Sequence, residues 1–185
     1  MIIDILRKLT GGHHPSRISK LSPEEQFAEI IKAVHPVLKQ AGYTKQGSKF
    51  RKLFCPNVAL IQFQRSRYND KYDIRFTINI SIISAALMQY LGALEDLKKA
   101  SEWHGHLRQR IGSFDPLATD KWWKLDDNSD AQSISKEVVQ LVTDCAIPFI
   151  SDHSTDEQLL AYWKSGKAAG TTEFQREQFV AILDK

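Results

Sequence analysis

The stretch YDIRFTINISII, from Tyr72 to Ile83, restricts the possible folds of this chain more than any other. Tyr72, Ile74, Phe76, Ile78, Ile80 and Ile82 fall on one parity, and Asp73, Arg75, Thr77, Asn79 and Ser81 on the other. Side chains of a strand point alternately to opposite faces, so the pattern predicts a long β-strand with an apolar face in a core and a polar face outside it. Val58 to Ser66 reads as a second strong strand, with Ile61 and Phe63 on the core parity and Gln62, Gln64 and Ser66 on the other. Before it, Tyr43–Lys45 and Lys49–Cys55 form a hairpin whose turn holds Gly47, and Pro56-Asn57 makes the next turn. Trp103 to Ile111 returns to the sheet as a further strand, with His106, Arg108 and Arg110 on one parity.

Helices are expected on either side of this strand series. Ser22-Pro23-Glu24-Glu25 is a helix start, with Ser22 as N-cap, Pro23 where no N–H is needed and Glu25 closing a capping box. Phe27, Ile30, Ile31, Val34, Leu38 and Ala41 then lie on one stripe, Pro36 bends the helix, and Gly42 ends it. Leu87, Tyr90, Leu91, Leu94 and Leu97 space as another helix, weakened by Gly92 inside it. Asp115-Pro116 opens a loop that ends in Trp122-Trp123. From about Ser129 a long helix carries Ile134, Val138, Leu141, Val142, Cys145 and Phe149, with Pro148 kinking its last turn. Two shorter helices close the chain, started by the capping boxes Ser154/Glu157 and Thr172/Gln175.

The chain has 185 residues, 42% of them hydrophobic and 25% charged, which suits one globular domain and argues against extended disorder. The expected organisation is an N-terminal arm and linker over residues 1–20 and one α+β domain over 21–185. No apolar run approaches the ~20 residues of a membrane span, and MIIDILRKL does not read as a secretory signal, so the expected location is the cytoplasm. Met1 to Leu9 reads as a short amphipathic arm that packs on its own domain or a neighbour. Its cysteines, Cys55 and Cys145, read as buried free thiols.

Several short motifs occur in a telling order: GYTKQGSKF after a helix, then QFQRS, FTINI, RQRIG and a Trp-Trp pair. In this the chain, from about Phe27 to Phe149, resembles the bacterial domain of unknown function 4304 family, departing from its pattern at Tyr43 and at Ile80-Ser81. The resemblance implies an α+β fold and brings no biochemical activity and no catalytic residues.

Candidates for chemistry are few. His104-Gly105-His106 places two imidazoles on one strand face, as some zinc sites do, but no third ligand is implied, and the pair reads as ordinary hydrogen-bonded histidines. His13-His14 in the linker lacks a carboxylate or cysteine beside it, so no metal is expected. Asp126-Asp127 and Asp130 read as helix-start residues. There is no nucleophile elbow, phosphate-cradling glycine loop or Cys-x-x-Cys, and no cofactor is expected.

Charge is distributed unevenly. Tyr43 to Arg75 holds 8 basic and 2 acidic residues, a net +6, while Asp126 to Glu157 holds 1 basic and 8 acidic, a net −7. The overall charge of +3 conceals this polarity, which suits an acidic protein partner or an anionic ligand; exposed basic residues also keep strand edges from pairing. These observations predict an α+β domain with an antiparallel sheet of about four or five strands, packed on one face by several helices. The function favoured is a non-enzymatic binding or protein-interaction module. Next comes a nucleic-acid or anionic-ligand binder using the basic sheet with Tyr68, Tyr72 and Trp122 as stacking groups, then an enzyme of unknown reaction. A ligand site, if present, is expected where Gln64, Asn79, Arg110 and Trp122 line one groove on the sheet's polar face. The competing account is structural: Gln64 and Asn79 bond each other, Arg110 pairs with a helix acid, and the tryptophans cap the core.

Overall fold

The structure, a computed structural model, describes residues 21–92, 97–115 and 120–185. Helix α1 (Pro23–Gln40) starts at the Ser22/Glu25 capping box and carries Pro36 inside it. It ends as Gly42 adopts φ +88° and the Tyr43 N–H donates to the Leu38 carbonyl. Strands β1 (Thr44–Gln46), β2 (Lys49–Leu53), β3 (Val58–Arg65) and β4 (Ile74–Ile83) follow as an antiparallel meander in spatial as well as chain order. On the far edge of β4, β5 (Leu107–Arg110) pairs with Asn79–Ile82 and β6 (Trp123–Leu125) with Ile74–Phe76. The chain is therefore α+β, as its periodicities predict. β6 falls in the stretch expected to be a loop: its three residues are too few to display a period.

The core lies between the sheet and a helical layer. Phe27, Ile30, Val34 and Leu38 of α1 meet Phe50, Ile61, Phe63, Phe76, Ile78 and Ile80 of the sheet. Phe76 is the aromatic hub: its ring lies 5.2 Å from Phe27, 6.3 Å from Phe63 and 5.1 Å from Trp123. Beside α1 packs α3 (Ala131–Leu141), capped by Asp130, whose carboxylate accepts from the Gln132 and Ser133 N–H groups. α3 runs through a π turn, Val142–Ala146, into α4 (Ile147–Ser151). The expected break near Pro148 is met by this bulge, in which the Ile147 N–H reaches back to Val142, ahead of the proline that supplies no donor. The C-terminal helices are α5 (Asp156–Lys164) and α6 (Glu173–Leu183), begun by the capping boxes Thr155/Gln158 and Thr172/Gln175. The first stands one residue beyond the expected pair because Ser154 is buried, its hydroxyl donating to the Ser151 carbonyl.

Three expectations are corrected. Tyr72 shares the parity of the core residues yet lies outside the strand and is exposed, because the Asp70 carboxylate accepts the Tyr72 and Asp73 N–H groups and turns the chain before Ile74. The helix expected to run through Gly92 is α2 (Ala85–Leu91), and Gly92, at φ +60°, terminates it. Cys55 is exposed and Cys145 half-buried, so neither is the buried thiol expected. His13-His14, the amphipathic arm, Leu94 and Pro116 lie outside the described residues.

The second face of the sheet decides where a site can form. At one end it too is covered: Val58, Leu60 and Ile83 pack with Met88 of α2 and Ala100 in a smaller apolar cluster. Ser81, opposite Leu60 and expected on an outer polar face, is buried beside this cluster, and Thr77, farther along β4, is buried as well. The cover is partial, and the rest of the face stays accessible.

Candidate functional site

Strand pairing places five polar side chains in one row across the sheet: Gln46 opposite Lys49, Lys49 opposite Gln62, Gln62 opposite Asn79, and Asn79 opposite Arg110. Directly opposed residues of antiparallel strands project from the same face, so the row follows from register alone. Arg108 stands next to Arg110 on that face, and Gln64 next to Gln62. Above the row, the 3₁₀ turn Glu102–His104 and the loop at Gly170 rise as walls. Between them is a cleft of about 430 Å³, within the ~300–1,000 Å³ of small-ligand sites.

Each wall is fixed. Lys49 Nζ lies 2.8 Å from Glu102 Oε2 and ties the 3₁₀ turn to β2. Burial pushes the Glu102 carboxyl upward, but the Lys49 ammonium and a hydrogen bond from the Gln62 amide outweigh it and hold its pKa below the ordinary value. Opposite, the Arg108 guanidinium donates through Nε and Nη2 to the Gly170 carbonyl at 3.2 and 2.6 Å, and the Arg108 backbone N–H donates to Ala169. Gly170 has φ +69°, and a Cβ there would lie 2.6 Å from Arg108 Cβ, so only glycine lets this loop sit on β5. Arg110 Nη1 lies 2.5 Å from Asp120 Oδ1, and that carboxyl is held below its usual range by Arg110 and, secondarily, by the Trp122 indole N–H.

The floor carries unspent hydrogen-bonding capacity. The Asn79 amide donates to Gln64 Oε1 at 2.5 Å, which leaves the Gln64 N–H groups and Asn79 Oδ1 without partners among the described residues. Gln62 Oε1 is buried with no partner among them. At the rim Trp103 is 81% exposed, an unusual position for so large an apolar side chain.

Of the four residues expected to share a groove, Gln64, Asn79 and Arg110 line this cleft. Trp122 stands beside it, its ring 5.6 Å from the Arg110 guanidinium, and is not among the lining residues. The structural account also holds in part: Gln64 and Asn79 bond each other, Arg110 pairs with a carboxylate, though one in a loop, and Trp123 is buried against Phe76 with its indole N–H on Glu137. Glu102, Trp103 and Gly170 were missed. The first two sit in a 3₁₀ turn ahead of β5, where the expected strand starts at Trp103 and leaves Glu102 outside it, and Gly170 comes from a loop 62 residues beyond Arg108, a proximity without local signal.

His104 and His106, expected on one strand face, both precede β5 and do not converge. His104 Nδ1 accepts the Ser101 N–H, whereas His106 is buried, accepts the Ser84 N–H at Nδ1 and meets the Phe179 ring edge-on. Burial lowers the His106 pKa to about 4, with nearby Asp156 opposing and His104 reinforcing the shift. Nearer the β1 edge, a smaller groove of about 290 Å³ gathers Lys49, Arg51, Lys98 and Lys99. Among the described residues no helix is long and apolar enough to cross a membrane.

No curated protein and no solved structure matches the chain. The family model for Domain of unknown function (DUF4304) matches residues 34–152, a stretch that holds the five-strand polar row, both arginines and the Glu102 wall, and the chain belongs to that family.

Proposed function

We propose that this protein is a non-enzymatic binding module whose ligand site is the cleft on the second face of the sheet. The observation that carries this reading is the convergence of unspent donors and acceptors on Gln64, Asn79, Arg108 and Arg110 in an open cleft of about 430 Å³. Gln64 and Asn79 are only half-buried, so the groups they leave unbonded face the cleft, where a ligand can pair them in place of water. The anchored walls support binding too, because side chains fixed beforehand lose little entropy when a ligand arrives. Glu102, held ionised by Lys49, is suited to electrostatic positioning and ill suited to donating a proton at neutral pH.

The test is a two-dimensional NMR titration with a panel of small carboxylates, amides and phosphates, reading the side-chain amides of Gln64 and Asn79 and Nε of Arg110. Saturable shifts of these signals by at least one class are expected, and in Arg110→Ala the loss of those at Gln64 and Asn79. A panel that leaves all three signals unmoved removes the cleft as a site.

A second reading is favoured by the groove of Lys49, Arg51, Lys98 and Lys99, which suits a nucleic-acid strand or another polyanion. Binding of a single-stranded oligonucleotide would then weaken steeply with salt as counterions are released, so anisotropy without binding at low salt ends this reading.

A further inference from the structure

Resting on the cleft's role as a binding site, we infer that its ligand is the carboxy-terminal end of a peptide chain: a terminal carboxylate, the amide bond before it and an apolar side chain. The charges choose the anion. Among the lining residues Arg108 and Arg110 contribute +2 and Glu102 −1, a net +1 that a monocarboxylate neutralises and a phosphate dianion would overshoot. Lys49 and Asp120, flanking the cleft on opposite sides, leave that balance unchanged.

Both guanidiniums are held in place by contacts that leave N–H groups unspent. Arg108 uses Nε and Nη2 on the Gly170 carbonyl, and Arg110 uses Nη1 on Asp120, out of five donors on each. A carboxylate is the planar acceptor that this fork of donors matches. Glu102 repels the same group at the other wall, so the carboxylate is directed toward β5 and the rest of the ligand toward β3.

The floor then meets an amide. Gln64 offers N–H donors and Asn79 Oδ1 an acceptor, the combination that one peptide unit, with its own N–H and C=O, satisfies. Trp103, exposed at the rim, supplies an apolar surface for a terminal or penultimate side chain. Carboxylate, amide and apolar group occur in this order at the end of a polypeptide.

The experiment uses the full chain and fluorescein-labelled hexapeptides, randomised at the last two positions over apolar residues, each made with a free carboxylate and as the carboxamide. Anisotropy should show free-acid peptides binding at least tenfold more tightly than their carboxamides, a difference of about 1.4 kcal/mol. Arg110→Ala should erase that difference, and Trp103→Ala should weaken free-acid binding tenfold or more without shifting the melting temperature. Equal binding of acid and carboxamide overturns the assignment, as does a library that fails to bind. N-acetyl amino acids binding as tightly as the hexapeptides would transfer the site to small acylated metabolites and overturn the peptide. In each of these cases the small-probe titration still decides independently whether the cleft is a site.

Discussion

At the scale of single residues, burial decides which side chains hold the fold and which are free to act. Phe76 is fully buried among three rings, so Phe76→Ala removes a ring that its neighbours cannot replace and should cost about 3–5 kcal/mol. Urea denaturation checks it; a loss under about 1 kcal/mol would mean that this strand is not central. His106 gives a pH dependence whose sign is fixed by its depressed pKa. The folded imidazole resists a proton down to about pH 4, while the unfolded one accepts it near 6.5, so stability is full above about 6.5 and falls as pH drops toward 4. The span of about 2.5 pKa units corresponds to roughly 3 kcal/mol. His106→Asn keeps an acceptor for the Ser84 N–H and should flatten this slope; an unchanged slope would assign the pH dependence to the carboxylates. Much of this was legible in the sequence. Alternation identified the core parity of β3 and β4, and the amides opposite it, because period-2 burial is a property of neighbouring residues. Tyr72 broke the pattern because Asp70 bends the backbone, a competition that parity does not register.

At the scale of elements, the cleft exists because pieces distant in sequence are clamped onto one sheet face. The loop between α5 and α6 is the clearest case, since it lies beyond residues 34–152 and forms a wall through Gly170. Gly170→Ala places a methyl against Arg108 in a left-handed conformation and should cost roughly 1–3 kcal/mol. It should also shift the Arg108 amide resonance as the Ala169 bond lengthens; a variant with unaltered stability and spectrum would show that the loop does not rest on β5. Elements with long periods were readable: α1, α3 and β4 announce themselves over ten residues or more. Those made by context were not. β6 is strand only because the far edge of β4 offers unpaired backbone at Ile74 and Phe76. The 3₁₀ turn bearing Glu102 and Trp103 likewise has no period to read.

At the scale of the whole molecule, the two sheet faces divide the labour. One is sealed by α1, α3 and α4, and the other is half sealed by α2 and its 3₁₀ turns, with the remainder left as a polar cleft. The uneven charge is partly consumed within the fold, since Lys49, Arg65 and Arg75 find carboxylates at Glu102, Glu24 and Asp73. The central claim is that the polar row serves a ligand and not the fold, and a double variant tests it most directly. The Asn79–Gln64 bond is a neutral pair worth about 0.5–1.5 kcal/mol, and the exposed Arg110–Asp120 pair is worth ~0–1 kcal/mol. Unfolding free energy of Asn79→Ala/Arg110→Ala should therefore lie within about 2.5 kcal/mol of the parent while the saturable shifts at Gln64 disappear. A loss of 4 kcal/mol or more, or a variant that binds the same probes as the parent, would contradict the account and return the row to a structural role.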